Sequence, residues 1–212
     1  VMLGEDQYYY RTQITPTLKV MTPPTSEPVQ VSDLQSQMNM DITDDDGKLS
    51  RVLIAAREMF EMDSGVTLMP TVWAAYIDHF PWYEESYDRR TVKLARGPVS
   101  AVSSIVYTNP ANATTTMDLS TYQVDTRRTP SRIMPLWGQA WPVVRFSTVN
   151  AITVTFTAGF ASLDLVPKKA IQAILMLAAY WVENPSMIGQ AGEMSRAYDA
   201  LVHAVHWEVF DE

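Results

Sequence analysis

The order of pieces along the chain predicts an α+β fold: a helical frame with an antiparallel β-rich unit inserted into it. Three observations carry this. Apolar residues recur at helical spacing in 49–60 and again in 170–182. Between them lie short runs rich in Val, Ile, Thr and aromatics, separated by Gly, Pro and Asn turns. Helices, then strands, then helices is the arrangement of segregated layers. The expected organisation is an extended N-terminal arm at 1–31, helices at 32–65, a β-rich insertion at 66–160 and C-terminal helices at 161–212. Residues 32–212 then form one compact domain, a size that 212 residues and a 47% hydrophobic composition allow.

The elements follow in order. Residues 1–15 show no clean period, but Tyr8, Tyr9 and Tyr10 form an aromatic run suited to lying on a partner. Pro16, Pro23, Pro24 and Pro28 keep the next stretch extended and non-helical. Ser32 is the expected N-cap of a short helix, with Gln35 completing a capping box and Leu34 and Met38 on one face. Asp44, Asp45 and Asp46 sit where a helix start favours negative charge. Leu49, Val52, Leu53, Ala56 and Phe60 then mark an amphipathic helix that stops at Ser64-Gly65.

Strands are expected in the stretch 66–80, where Trp73, Ala75 and Ile77 alternate with Val72, Ala74 and Tyr76, and in "TVKL", "VSSIVY", "YQVD", "SRIMP" and "AITVTFTAGF". In the last, Ile152, Val154 and Phe156 alternate with threonines, as in a sheet with one buried face. "TNPANATTT" reads as a polar hairpin loop. Pro167 opens a wide-striped helix that Pro185 ends. A last helix is expected at roughly 190–208, presenting Met194, Tyr198, Leu201, Val202 and Val205.

Composition narrows the function. No cysteine is present, which excludes a disulfide framework, an iron–sulfur cluster, a thiolate zinc site and a cysteine nucleophile. No apolar run is long enough to cross a membrane, and the N-terminus lacks a basic-then-apolar signal. The net charge of −8 disfavours nucleic-acid binding unless the basic residues cluster, and Arg89–Arg90, Arg127–Arg128 and Lys168–Lys169 are only short spots. Catalytic patterns are missing: there is no Gly-rich phosphate loop and no nucleophile elbow. His203 and His206 are helix neighbours with only Asp199 or Glu208 near, short of a converging zinc set. Asp44–Gly47 lacks the alternating ligands of a calcium loop. The expectation is no enzyme, no metal and no cofactor.

"RIMPLWGQAWP", residues 132–142, poses the sharpest question. Two tryptophans flank a Gly-Gln-Ala turn. They fit a core plug, a ligand clamp or a surface for another protein. A free-standing binding module, with Trp82, Tyr83 and Tyr87 on a β-unit loop, is the alternative functional class.

The ordered motifs carry a family resemblance. Thr22–Pro24, Glu27–Val29, the acidic turn Asp41–Asp46 and the helix Leu49–Gly65 resemble the N-terminal part of head–tail connector (adaptor, or head-completion) proteins of tailed bacteriophages. Pro98–Tyr107 is similar to that family's strand after a proline. Leu119, Tyr122, Val124, Asp125, Pro130, Arg132, Ile133, Trp141 and Pro142 follow its "Leu-x-x-x-Tyr-x-Val-Asp … Pro-x-Arg-Ile … Trp-Pro" run. "NAITVTFTAGF" and "VPKKAIQAILMLAAYWVENP" resemble its last strand and following helix. The match spans about residues 18–186; residues 1–17 and the 81–95 hairpin depart from it.

The resemblance implies a structural virion protein of the neck, between head and tail, assembled in the host cytoplasm. It implies a homo-oligomeric ring, commonly of twelve copies, beneath a portal protein. A neck or tail-completion protein binds below. Genomic DNA passes through the lumen without sequence-specific binding, and no membrane is involved. An acidic chain suits a lumen through which DNA slides. Trp207, Val209 and Phe210, near a chain end where apolar residues are poorly covered, are the expected portal-docking residues. Tyr8, Tyr9, Tyr10 and Trp137 are the expected contacts to a neighbouring subunit or the next neck ring. Trp141 belongs to the motif and is expected to brace the sheet; Trp137 lies in the variable part.

Overall fold

The computed structural model describes residues 16–40, 46–81, 90–187 and 195–205. Among them, four helices and two antiparallel sheets make an α+β fold. The helices are α1 (Val31–Met38), α2 (Asp46–Ser64), α3 (Lys168–Glu183) and α4 (Ser195–His203). The larger sheet has the order β1 (Thr17–Thr22), β2 (Thr71–Ile77), β8 (Ile152–Ala158), β4 (Val99–Thr108) and β5 (Thr114–Thr116). The smaller sheet has the order β3 (Val92–Lys93), β7 (Arg132–Pro135) and β6 (Tyr122–Asp125).

Two cores result. The helical core gathers the α2 stripe Leu49, Val52, Leu53, Ala56 and Phe60 with Leu34 of α1, Ile174, Leu177 and Trp181 of α3 and Tyr198 of α4. The β core gathers Ile152, Val154, Phe156 and Ala158 of β8 with Ala75 and Ile77 of β2, Ile105 of β4 and Ile133 of β7. Both helical stripes and the period-2 pattern of β8 are therefore read correctly from the sequence. The tyrosine hydroxyl of Tyr198 ties α4 to α2 by donating to Asp63 Oδ2 at 2.9 Å.

Burial and that carboxylate push the Tyr198 phenol well above its ordinary value. A folded-state pKa raised above the unfolded one gives stability that is present below the unfolded value, about 10, and lost as pH rises past it. Alkaline titration of stability should therefore fall more steeply for the native chain than for Tyr198→Phe, as read by urea unfolding at successive pH values.

The structure departs from the sequence reading in several places. Thr17–Thr22, within the expected arm, pairs antiparallel with β2 as an edge strand. Thr114–Thr116, expected as loop, forms the returning strand of the hairpin, and only 109–113 turns. The α1 helix starts earlier than expected: Gln30, not Ser32, is its N-cap, and Asp33 rather than Gln35 reaches back, accepting from the Gln30 backbone N–H at 2.9 Å. The carboxylate three residues after Gln30 is the closer match to capping geometry. Gln35 instead donates to Asp46 Oδ1 at 2.8 Å, joining α1 to the start of α2. The last helix ends at His203, short of 208, where Val205 N bonds to Val202 O at 3.0 Å and tightens the turn. Met194, Asp44, Asp45 and His206 lie outside the described residues.

A buried ionic network joins the two cores. Arg57 of α2 is 6% exposed; its Nε meets Glu27 at 2.6 Å and its Nη1 meets Glu61 at 2.7 Å. Glu61 Oε1 also accepts from the Leu68 backbone N–H at 2.7 Å, which fixes the chain as it leaves α2 for β2. Arg96 donates to the Glu61 carbonyl and lies over the Trp73 ring, 5.3 Å from its centroid. Burial pushes the Glu61 carboxyl up; the Leu68 N–H and the Arg57 guanidinium oppose that push without cancelling it. For Arg57, burial alone would lower the value, but the Glu61 and Glu27 carboxylates outweigh it.

Candidate functional site

Two surface features stand out, and they lie at opposite ends of the larger sheet. The first is the loop 136–149. Leu136 N bonds to Thr121 O at 3.0 Å, and Gln139 N closes a turn onto Leu136 O at 2.9 Å. Gly138 sits third in that turn with φ 78°, the left-handed position that a type II turn requires, and this sets Trp137 at the apex. Arg145 N bonds to Thr108 O at 2.9 Å, at the end of β4, and Asn150 N bonds to Asp78 Oδ1 at 2.6 Å, beyond β2. The loop is thus pinned along its length.

Despite that pinning, its large apolar side chains face solvent. Trp137 is 100% exposed, Phe146 92%, Val149 75% and Val143 73%. Trp141 differs: its ring stacks on Phe80 with centroids 4.5 Å apart and planes 6° apart, and its N–H donates to Arg90 O at 2.8 Å. Val144 also packs on the β core. The stack occupies a face of Trp141 and the hydrogen bond uses its only donor, so Trp141 braces the sheet and has little left for a ligand clamp. Arg132 and Ile133 brace with it: Ile133 is fully buried, and Arg132 Nε meets Asp125 at 3.2 Å. Trp141→Ala should cost about 2–4 kcal/mol of stability, while Trp137→Ala should stay within about 0.5 kcal/mol. Urea denaturation of both variants checks the split.

The second feature is a groove with a cavity of ≈ 600 Å³. Its walls come from Val66 after α2, Pro98 before β4 and Phe160 after β8. Pro167, Lys168 and Lys169 at the start of α3 and Ala204 and Val205 after α4 complete it. A backbone bridge pairs Val66 with Gly97, and Gly159 N bonds to Pro98 O at 2.8 Å, so three chain segments converge there. Both lysines are exposed at the rim, and exposed Leu163 (42%) and Leu165 (60%) lie just upstream of Pro167.

The other sequence-predicted contacts, Tyr8, Tyr9, Tyr10, Trp207, Val209 and Phe210, lie outside the described residues, as do Trp82, Tyr83 and Tyr87. Residues 143–149 and the groove were missed in the sequence. "PVVRFSTVN" has no strand or helix period, and a phenylalanine in such a run was the one available signal. The groove could not be seen because its walls are far apart in the chain. Among the described residues, no group of three or more His, Asp or Glu is placed to hold a metal ion, and no helix is long and apolar enough to cross a membrane.

No protein-family model matches the sequence, and no curated protein sequence matches it significantly. Solved structures do match. A chain from the neck of an empty gene transfer agent (GTA) particle, computed with C6 symmetry, is 22% identical with a TM-score of 0.72, over 90% of this chain and 95% of that one. A chain from the virion of a native GTA particle is 20% identical, with a TM-score of 0.73 over 92% and 97%. A chain from the neck of a native GTA particle, computed with C12 symmetry, is 21% identical, with a TM-score of 0.68 over 91% and 95%. The whole fold, not a fragment of it, is shared with components of these particles.

Proposed function

We propose that this chain is a structural neck protein of a phage-like particle, a head–tail connector that forms a ring beneath the portal. The observation that carries the reading is the end-to-end likeness to GTA neck and virion chains, at TM-scores of 0.68–0.73 over at least 90% of this chain. It agrees with the family to which the ordered motifs point. The C6 and C12 symmetries of the similar neck structures support a homo-oligomeric ring. In this reading the portal protein binds one side and a neck or tail-completion protein the other. Genomic DNA passes through the lumen.

The exposed apolar loop suits such a subunit, because a ring component buries surface against its neighbours that the isolated chain leaves wet. Trp137 is the proposed contact to a ring neighbour, together with Tyr8, Tyr9 and Tyr10 of the arm. Trp207, Val209 and Phe210 are the proposed portal-docking residues. Deleting 207–212 should abolish co-sedimentation with the portal and leave the circular dichroism spectrum unchanged. Undiminished portal binding by the deleted chain would remove the tail from this role.

A further inference from the structure

We propose that loop 136–149 of one copy docks in the groove between the starts of α3 and β4 of the next copy, and that this head-to-tail contact builds the ring. The proposal rests on the neck-ring reading and names the two surfaces that meet. A closed ring related by rotation needs a heterologous contact, in which one patch meets a different patch on the neighbour. A self-complementary patch would stop at a dimer.

The loop and the groove are such a pair. Arg145 is bonded to Thr108 at the last residue of β4, and Pro98 lines the groove beside its first residue, Val99. Across the sheet Val99 faces Ala158 and Tyr107 faces Ile152, so the two ends lie about 20 Å apart along it. One surface therefore projects beyond one end of the larger sheet while the other opens beyond the opposite end.

Their chemistry matches. Trp137 and Phe146 are rigid, solvent-facing rings held out by a pinned backbone. The groove offers apolar walls in Val66, Pro98, Phe160 and Val205, and its ≈ 600 Å³ lies within the range, about 300–1,000 Å³, that encloses ring-sized ligands. Lys168 and Lys169 at the rim are placed to set an ammonium against an indole face. The two rings can bury about 300–500 Å², below the roughly 800 Å² per partner of a standard stable interface. The contact therefore forms rings on a template or at high concentration, rather than tight free dimers.

The absence of cysteine makes the test clean. The full chain carrying Gln139→Cys and Lys169→Cys is assembled with its portal, oxidised and run on a non-reducing gel. The two positions belong to the two different surfaces, and a covalent multimer on the gel can only come from bonds between copies. The expected result is a ladder of covalent multimers, with Gln139→Cys alone giving none. In addition, the variant Trp137→Ser/Phe146→Ser and the variant Val205→Glu should each fail to form rings while keeping native circular dichroism. Mixed together at high concentration, the two should yield heterodimers, because one intact loop still meets one intact groove. Rings without the disulfide ladder, or dimers from Gln139→Cys alone, would overturn the contact and leave the neck-ring reading standing. A bond within one copy between Lys169→Cys and Glu208→Cys would give the groove to the chain's own tail and also overturn it. Failure of the native chain to form rings with its portal would bring down both readings.

Discussion

Gly159→Ala is expected to destabilise the protein by about 3–5 kcal/mol, combining left-handed backbone strain with forced overpacking. Gly159 has φ 121°, and a Cβ there would lie 2.3 Å from the Met69 carbonyl oxygen and 2.4 Å from its carbon. Both are backbone atoms, so no side-chain rotation relieves the clash. Gly159 N is also bonded to Pro98 O, and the next residue, Phe160, bonds to Leu68 O at 3.2 Å. The end of β8 is thereby clamped between the Leu68 and Pro98 segments. Gly138→Ala is the matched control. It too has positive φ, but nothing lies within 4 Å of its added Cβ, so only the conformational cost, about 1 kcal/mol, should appear. Urea unfolding of the pair measures both; equal losses would show that the approach of Met69 to Gly159 is not what matters.

The second large effect is at the buried ionic network. Arg57→Met should cost about 3–5 kcal/mol, because it leaves the Glu61 carboxylate buried without its cation. Glu61 is 7% exposed and would keep the Leu68 N–H as a donor and the more distant Arg96 as a cation. Adding Glu61→Gln should recover part of the loss, since the amide oxygen still accepts from Leu68 N and no charge remains to desolvate. A coupling of about 1–3 kcal/mol in the double-mutant cycle is the expected readout. Strict additivity would mean that the two side chains stabilise independently.

These two sites show what the sequence made legible. Elements with a one-sided apolar pattern were readable: the α2 stripe, the alternation of β8 and the wide stripe of α3 all face a core. β1 was not, because it is an edge strand with nearly every side chain exposed; Val20 and Met21 are 41% and 54% exposed, and prolines bracket it. Its pairing with β2 is written in backbone hydrogen bonds, which leave no period in the side chains. The separation of strands into two sheets was hidden for the same reason.

Arg57 and Glu61 stand at i, i+4 spacing, which carries no sign of burial; the approach of Glu27 and Leu68 places them inside. Gly159 falls within a recognisable strand motif, but the reason for a glycine there is a carbonyl ninety residues upstream. At the candidate site, the division between Trp137 and Trp141 followed from which of them belongs to the motif. The groove depends on tertiary placement alone.

The central claim is that the chain is a ring-forming neck component, and electron microscopy of the protein mixed with its portal tests it most directly. The expected images show a ring of density added to one face of the portal, coaxial with its channel and in register with its symmetry. A portal that stays bare, beside a chain that stays monomeric, would contradict the account; a thermal shift on adding a small ligand to that monomer would point to a binding module instead.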